Sequence, residues 1–297
     1  MLNLVLSLAG IFALIGIVGR LLHRYFIYIP DCTRVAPKEA GLAVAEEIVF
    51  KAADGTKLIA WYQSAKGSKP TLLYFTGNSG NVANRAGKIR TIASCGYGVF
   101  MLNYRRYGGS EGRPTEARNA ADAVSAYDCL RGQGVVPSDI VAYGESLGTA
   151  VATRLSLQRE VQALVLEAPF TSTVDVGKLM WKGFPLGIIM VDQYRTIDRI
   201  GEVNVPLFMV HGGRDSIIPL YLARRVYHAA NEPKSLVVVP QAGHNDLFER
   251  GAFEKVHGFL DSLRPAPRRA VASKRLPRRA ARTANRNGVI PAKAGIQ

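Results

Sequence analysis

At 297 residues with 48% apolar composition, the chain is long enough to bury a large core and too hydrophobic to be disordered as a whole. Its formal charge of +15 points to nucleic acid only until it is located: ten Lys or Arg and no acid fall between Arg264 and Gln297, leaving +5 for the rest. Three cysteines (Cys32, Cys95, Cys129), an odd number without CxxC or CxxxH spacing, argue against a disulfide framework or a zinc site.

In chain order, the first feature is an uncharged run from Leu2 to Gly19, followed by Arg20, His23 and Arg24 and the aromatics Tyr25, Phe26 and Tyr28. A membrane-spanning helix needs ~20 apolar residues and places aromatics at the interface, so residues 1–29 read as an uncleaved single-pass anchor. A cleaved signal peptide is the rival, but it puts its positive charges before the apolar run and a small-x-small site after it. Positive charge on the C-terminal flank places the body on the cytoplasmic side. Residues 30–44 read as a linker.

Strand-like runs then recur: "EIVFKA" (47–52), "KLIAWYQ" (57–63), "TLLYFT" (71–76), "GVFMLN" (98–103), "DIVAYG" (139–144), "ALVLEA" (163–168), "PLFMVH" (206–211) and "SLVVVP" (235–240). The first two flank "ADG", a hairpin turn. From residue 71 each run is followed by a helical stretch or a long connection, which implies βαβ crossovers and a mainly parallel sheet covered on both faces. Ligands in such sheets bind at the carboxyl ends of the strands.

Three reactive residue types fall at those ends. Ser146 follows "IVAY" inside "YGESLGT" and precedes a good helix, the context of a Gly-x-Ser-x-Gly nucleophile elbow; the bland reading is a surface turn. Asp215 lies just past "PLFMVHGGRD" and His244 just past "SLVVVPQAGH". A serine hydroxyl needs a base to take its proton, and a carboxylate to hold that base in the right tautomer. Asp215 could instead cap the helix beginning near Pro219, and Asp192, Asp198 and Asp246 are rival acids. His211 ends a strand too, but a structural role suits its Gly-Gly surroundings. Acyl transfer also needs oxyanion donors. The N–H of Leu147 at a helix N-terminus and that of Asn78 in "TGNSGN" (76–81) are the candidates. The alternative for that loop, a phosphate cradle, lacks the lysine of a GxxxxGK[ST] motif.

With "FTGNSGN", "LNYRRYGGSEGRPTE", "YGESLGT", "EAPFTS", "VHGGRDSIIP" and "AGHND" in hand, residues 45–263 resemble the α/β-hydrolase superfamily. The resemblance is closest to its membrane-anchored alpha/beta hydrolase domain-containing branch, some of whose members are depalmitoylases. It implies an α/β-hydrolase fold with an eight-stranded, mostly parallel sheet and a catalytic triad of Ser146, Asp215 and His244. Two departures stand out: Thr76 replaces the usual His before Gly-Asn, and Thr149 replaces the second Gly after the elbow. In this branch a segment such as 174–195 resembles a short cap, and its Trp181 and Phe184 suit an apolar acyl chain; an equal reading makes them core. The function implied is a serine hydrolase of an ester or thioester, with a lipid-like acyl ester or an acylated protein as substrate, at a membrane surface. A serine aminopeptidase and an inactive anchored binding module remain as alternatives. No metal or organic cofactor is implied. The tail, 264–297, reads as a basic, disordered, solvated extension; acidic lipid headgroups are an alternative partner for it and nucleic acid a less favoured one.

Overall fold

The computed structural model describes residues 2–263, so the expected disordered tail lies outside the described residues. Eight strands form one sheet: β1 (Glu46–Lys51), β2 (Lys57–Gln63), β3 (Thr71–Phe75), β4 (Gly98–Asn103), β5 (Ile140–Glu145), β6 (Ala163–Glu167), β7 (Leu207–Gly212) and β8 (Lys234–Val239). Their spatial order is β8-β7-β6-β5-β3-β4-β2-β1. The β1–β2 hairpin turns at Gly55, whose φ of +83° a residue with a Cβ adopts only at a cost. β2 pairs antiparallel with β1 and β4, and every other pairing is parallel. This is the mostly parallel, doubly covered sheet expected of an α/β-hydrolase.

Strand periodicity explains why both faces need covering. Leu73 and Phe75 of β3 point into one core, and Leu72 and Tyr74 into the other. Helices α3 (Glu116–Gly132), α4 (Leu147–Ser156) and α7 (Leu220–Ala229) bury apolar residues in the first. Helices α2 (Ala86–Ser94) and α8 (Phe253–Ser262) close the second, through Ile89, Ile92, Phe253, Val256 and Leu260.

The topology chooses where the site can lie. After β3 the chain goes to β4 on one side and later returns to β5 on the other, so β3 sits at the point where strand order reverses. The loops leaving β3 and β5 therefore diverge and open a crevice at their carboxyl ends. Those loops carry Asn78 and Ser146.

The N-terminal reading is corrected. Among the described residues no helix is long and apolar enough to cross a membrane, which overturns the expected single-pass anchor and the cytoplasmic orientation deduced from it. The physical reason lies in the flank that resembled an interfacial belt. Helix α1 (Leu2–Ile27) ends against the domain: Arg24 donates to Asp192 at 2.8 Å, and the ring of buried His23 accepts N–H groups of Val191 and Asp192. Next in chain, Ile29–Pro30 pairs in parallel with Ser79–Gly80. Arg24, His23 and the buried Tyr28 are thus engaged by the protein itself.

One buried ion pair ties the hairpin to the helical layer. Arg105, at 4% side-chain exposure, donates to fully buried Asp122 of α3 and to Asp54 in the β1–β2 turn. Arg105→Met leaves Asp122 without its cation and is expected to cost about 3–5 kcal/mol in urea unfolding. Burial already raises the Asp122 carboxyl above its usual value against the opposing pull of Arg105. Without Arg105 the folded state takes up a proton there more readily than the unfolded chain, so the loss should be smaller at pH 5 than at pH 8.

Candidate active site

The chain between β5 and α4 turns too sharply for ordinary residues. A Cβ at Gly144 would lie 2.4 Å from the carbonyl oxygen of Gly148, and one at Gly148 would lie 2.1 Å from that of Phe75. Both positions exclude a side chain because strand and helix approach backbone to backbone. Between them Ser146 sits at φ 51°, ψ −117°, a strained conformation for a residue with a Cβ. Its N–H donates to the Glu167 carbonyl at 2.8 Å, and its carbonyl accepts the Thr149 N–H at 2.9 Å and the Thr149 hydroxyl at 2.6 Å. The threonine that replaces a second glycine thus adds a bond to the turn.

Asp215 and His244 arrive from the ends of β7 and β8. The Asp215 carboxylate is fully buried, and its Oδ1 accepts the N–H groups of Ile217 and Ile218 at 2.9 and 2.7 Å. Its Oδ2 lies 2.7 Å from His244 Nδ1, and His244 Nε2 lies 3.0 Å from Ser146 Oγ. A carboxylate only accepts, so the imidazole proton belongs on Nδ1, which leaves Nε2 as the acceptor facing the serine hydroxyl. The three residues separated by up to 98 positions in sequence form one hydrogen-bonded line.

The rival acids are committed elsewhere. Asp192 takes Arg24, Asp198 takes Arg195, and Asp246 accepts from Gly243 N–H and Arg250. His211 is fully buried, with Nε2 2.8 Å from the Ile218 carbonyl and 3.6 Å from Asp215 Oδ2. Burial lowers its pKa, so it stays neutral and braces the Asp215 loop.

Asn78 and Leu147 flank the serine. The Asn78 side chain donates to the Ile27 carbonyl at 2.8 Å, and its carbonyl accepts from Ile29 N–H and the Tyr107 hydroxyl. Leu147 is the first residue of α4, where N–H groups lack intrahelical partners and the dipole favours negative charge. Thr76, standing where the family's histidine is usual, is buried and its carbonyl accepts from the Tyr104 hydroxyl at 3.0 Å.

These residues open on a cavity of about 1370 Å³, whose walls include Ser146, His244, Asn78 and Leu147. Residues 174–195 run through helices α5 (Thr173–Met180) and α6 (Leu186–Ile189) and supply part of the same cavity's wall. Trp181 and Phe184, each 45% exposed, stand there edge to face with ring centres 6.0 Å apart.

Comparison with known proteins matches residues 70–187 to the alpha/beta hydrolase fold family. The chain is 32% identical to the alpha/beta hydrolase domain-containing protein WAV2 of Arabidopsis thaliana over 76% of this chain and 82% of that protein. It belongs to the alpha/beta hydrolase family. An uncharacterized protein of Mycobacterium tuberculosis is 41% identical over 80% of this chain and 87% of its own length. The lysophosphatidylserine lipase ABHD12 of Danio rerio is 30% identical over 59% of this chain, which spans about half (51%) of that protein. Among solved structures, the Pyrococcus furiosus esterase Pf2001 superposes with a TM-score of 0.65 at 20% identity, covering 79% of this chain and 99% of that one. The family and these relatives support a hydrolase.

Sequence reasoning missed the charged layer beneath the elbow. Lys88 of α2 donates to Glu145 Oε2 at 2.9 Å and to Glu167 Oε1 at 3.0 Å. The Tyr74 and Tyr143 hydroxyls donate to the same two carboxylates, their rings stacked with centres 4.4 Å apart. Burial alone would raise the Glu145 carboxyl, but Lys88 and Arg85 outweigh it and hold it down to about 2. Glu145 precedes Ser146 and Glu167 carries the carbonyl that holds its N–H, so the cluster grips both sides of the strained residue. Each acid ends a strand, a pattern visible in sequence, but nothing there pairs them with a lysine 57 and 79 positions away. Lys88→Met should cost about 3 kcal/mol by urea denaturation, because it leaves the buried Glu167 carboxylate without its cation and Glu145 with Arg85 alone. Adding Glu167→Gln to that variant should restore part of the loss.

Proposed function

We propose that this hydrolase is a serine esterase or thioesterase that acts through an acyl-enzyme on Ser146. The observation that carries the reading is the Ser146–His244–Asp215 line, with contacts of 3.0 and 2.7 Å, at the wall of a large cavity. As Ser146 Oγ attacks the substrate carbonyl carbon, its proton passes to His244 Nε2, and Asp215 steadies the imidazolium. The carbonyl oxygen becomes an oxyanion and accepts from the N–H groups of Leu147 and Asn78. Collapse of that intermediate breaks the bond to the leaving oxygen or sulfur, which takes the proton from His244. Water, deprotonated by the same nitrogen, then releases the acid and regenerates the serine.

The apolar side chains around the cavity, among them Trp181 and Phe184, favour a lipid-like acyl group. An ester or thioester suits a triad without further electrophilic help, since its leaving group departs more readily than an amine.

Ser146→Ala is expected to lower kcat by ~10⁴-fold or more, as in other triads, and to abolish labelling by a fluorophosphonate probe. Thermal unfolding should change little. Labelling and turnover that persist in this variant would refute the mechanism, and a preference for aminoacyl amides over esters would replace it with a peptidase.

Substrate length gives a second test. kcat/KM on p-nitrophenyl esters should climb from acetate towards medium chains, by up to about fourfold per methylene at ~0.8 kcal/mol each. Trp181→Ala and Phe184→Ala should flatten that climb; a series that falls steadily from acetate onward would remove the acyl pocket.

A further inference from the structure

The end of α1 is built into the catalytic site. Gly19, Leu22, Phe26 and Ile27, spaced at one face of the helix, line the same cavity as Ser146 and His244. Phe26 stands edge to face with Trp181, ring centres 6.0 Å apart, and Trp181 does the same with Phe184. The three rings form an aromatic arc shared between α1 and residues 174–195. The two segments meet closely: a Cβ at Gly19 would lie 2.9 Å from Ile189 Cγ2.

A buried lock holds this wall in place. Asp192 accepts two bonds from Arg24 and one from the Tyr28 hydroxyl at 3.0 Å. That hydroxyl lies 2.8 Å from Tyr194 OH, which also accepts from Asn119 of α3 at 2.9 Å. His23 adds two backbone N–H contacts to Val191 and Asp192. Immediately beyond, the Ile27 carbonyl and the Ile29 N–H bracket Asn78 by hydrogen bonds of 2.8 and 2.9 Å. One short stretch of chain therefore touches both the apolar wall and the loop assigned to the oxyanion.

We propose that the last two turns of α1 and the residues after them, through Ile29, are a specificity element of the acyl site. They wall the cavity that Ser146 also lines, so that chain length is read between Leu22, Phe26 and Trp181. The inference rests on the acyl-enzyme reading above and adds the N-terminal helix to the substrate-binding surface. Its lock on Asn78 couples occupancy of that wall to the placement of an oxyanion donor.

The test uses the full chain, p-nitrophenyl esters from acetate to laurate, and a fluorophosphonate probe. Leu22→Trp fills the wall and Phe26→Ala removes part of it. Both residues are exposed enough (43% and 66%) for the fold to survive either change, and thermal unfolding checks this. Leu22→Trp should cut the ratio of kcat/KM for the best long ester over acetate by about tenfold, the equivalent of roughly two methylenes, and mainly through KM. Phe26→Ala should move the optimum to a different chain length. If both variants keep the wild-type profile while the probe still labels Ser146, α1 is not part of the acyl site and the inference falls alone. If the wild type is neither labelled nor active on any ester, the acyl-enzyme reading falls and takes this one with it.

Discussion

Ser146 occupies a backbone conformation that few residues with a Cβ tolerate, and much of the molecule is arranged to keep it there. The strain is offset by contacts on every side: glycines that let β5 and α4 meet, the Glu167 carbonyl on its N–H, and Thr149 on its carbonyl. The reward is geometric. A hydroxyl held on so tight a turn points away from both strand and helix, towards the crevice where β3 and β5 diverge. The same turn starts α4 beside it, so orphan N–H groups and the positive end of a helix come with the serine hydroxyl.

Beneath that turn lies an unusual concentration of buried charge. Glu145, Glu167 and Lys88 would each be costly alone in a low-dielectric interior, and together they satisfy one another with two tyrosine hydroxyls. An apolar cluster of the same volume could contribute as much stability without directional bonds. Hydrogen bonds to both carboxylates set the ends of β5 and β6 in register, and with them the residue before the serine and the carbonyl that receives its N–H. His211 performs a similar service for the third member, standing behind Asp215 as a neutral ring.

The cavity wall shows how long-range pairing reassigns a segment. Arg24 lies 168 positions from Asp192, yet that ion pair, with Tyr28 and Tyr194, turns the end of a hydrophobic helix into part of the hydrolase domain. Apolar side chains serve equally against lipid, against a neighbouring helix or around an acyl chain, so composition could not choose among these.

Local chemistry settled a good deal. Strand runs written in β-branched and aromatic residues begin and end within about a residue of the observed strands, because each carries its own periodicity and turn residues. The elbow was legible for the same reason: Gly144, Ser146 and Gly148 sit between a strand and a helix that both announce themselves nearby. The order Ser146, Asp215, His244 could be read because each follows a strand, and parallel strands bring their carboxyl ends to one edge. What depended on distance in sequence was not legible. The lysine beneath the elbow, the clamp of Ile27 and Ile29 on Asn78, and the docking of Arg24 on Asp192 join residues whose local surroundings say nothing of one another. The anchor reading failed there, since hydrophobic periodicity reports that a face seeks burial, and only the folded chain determines what buries it.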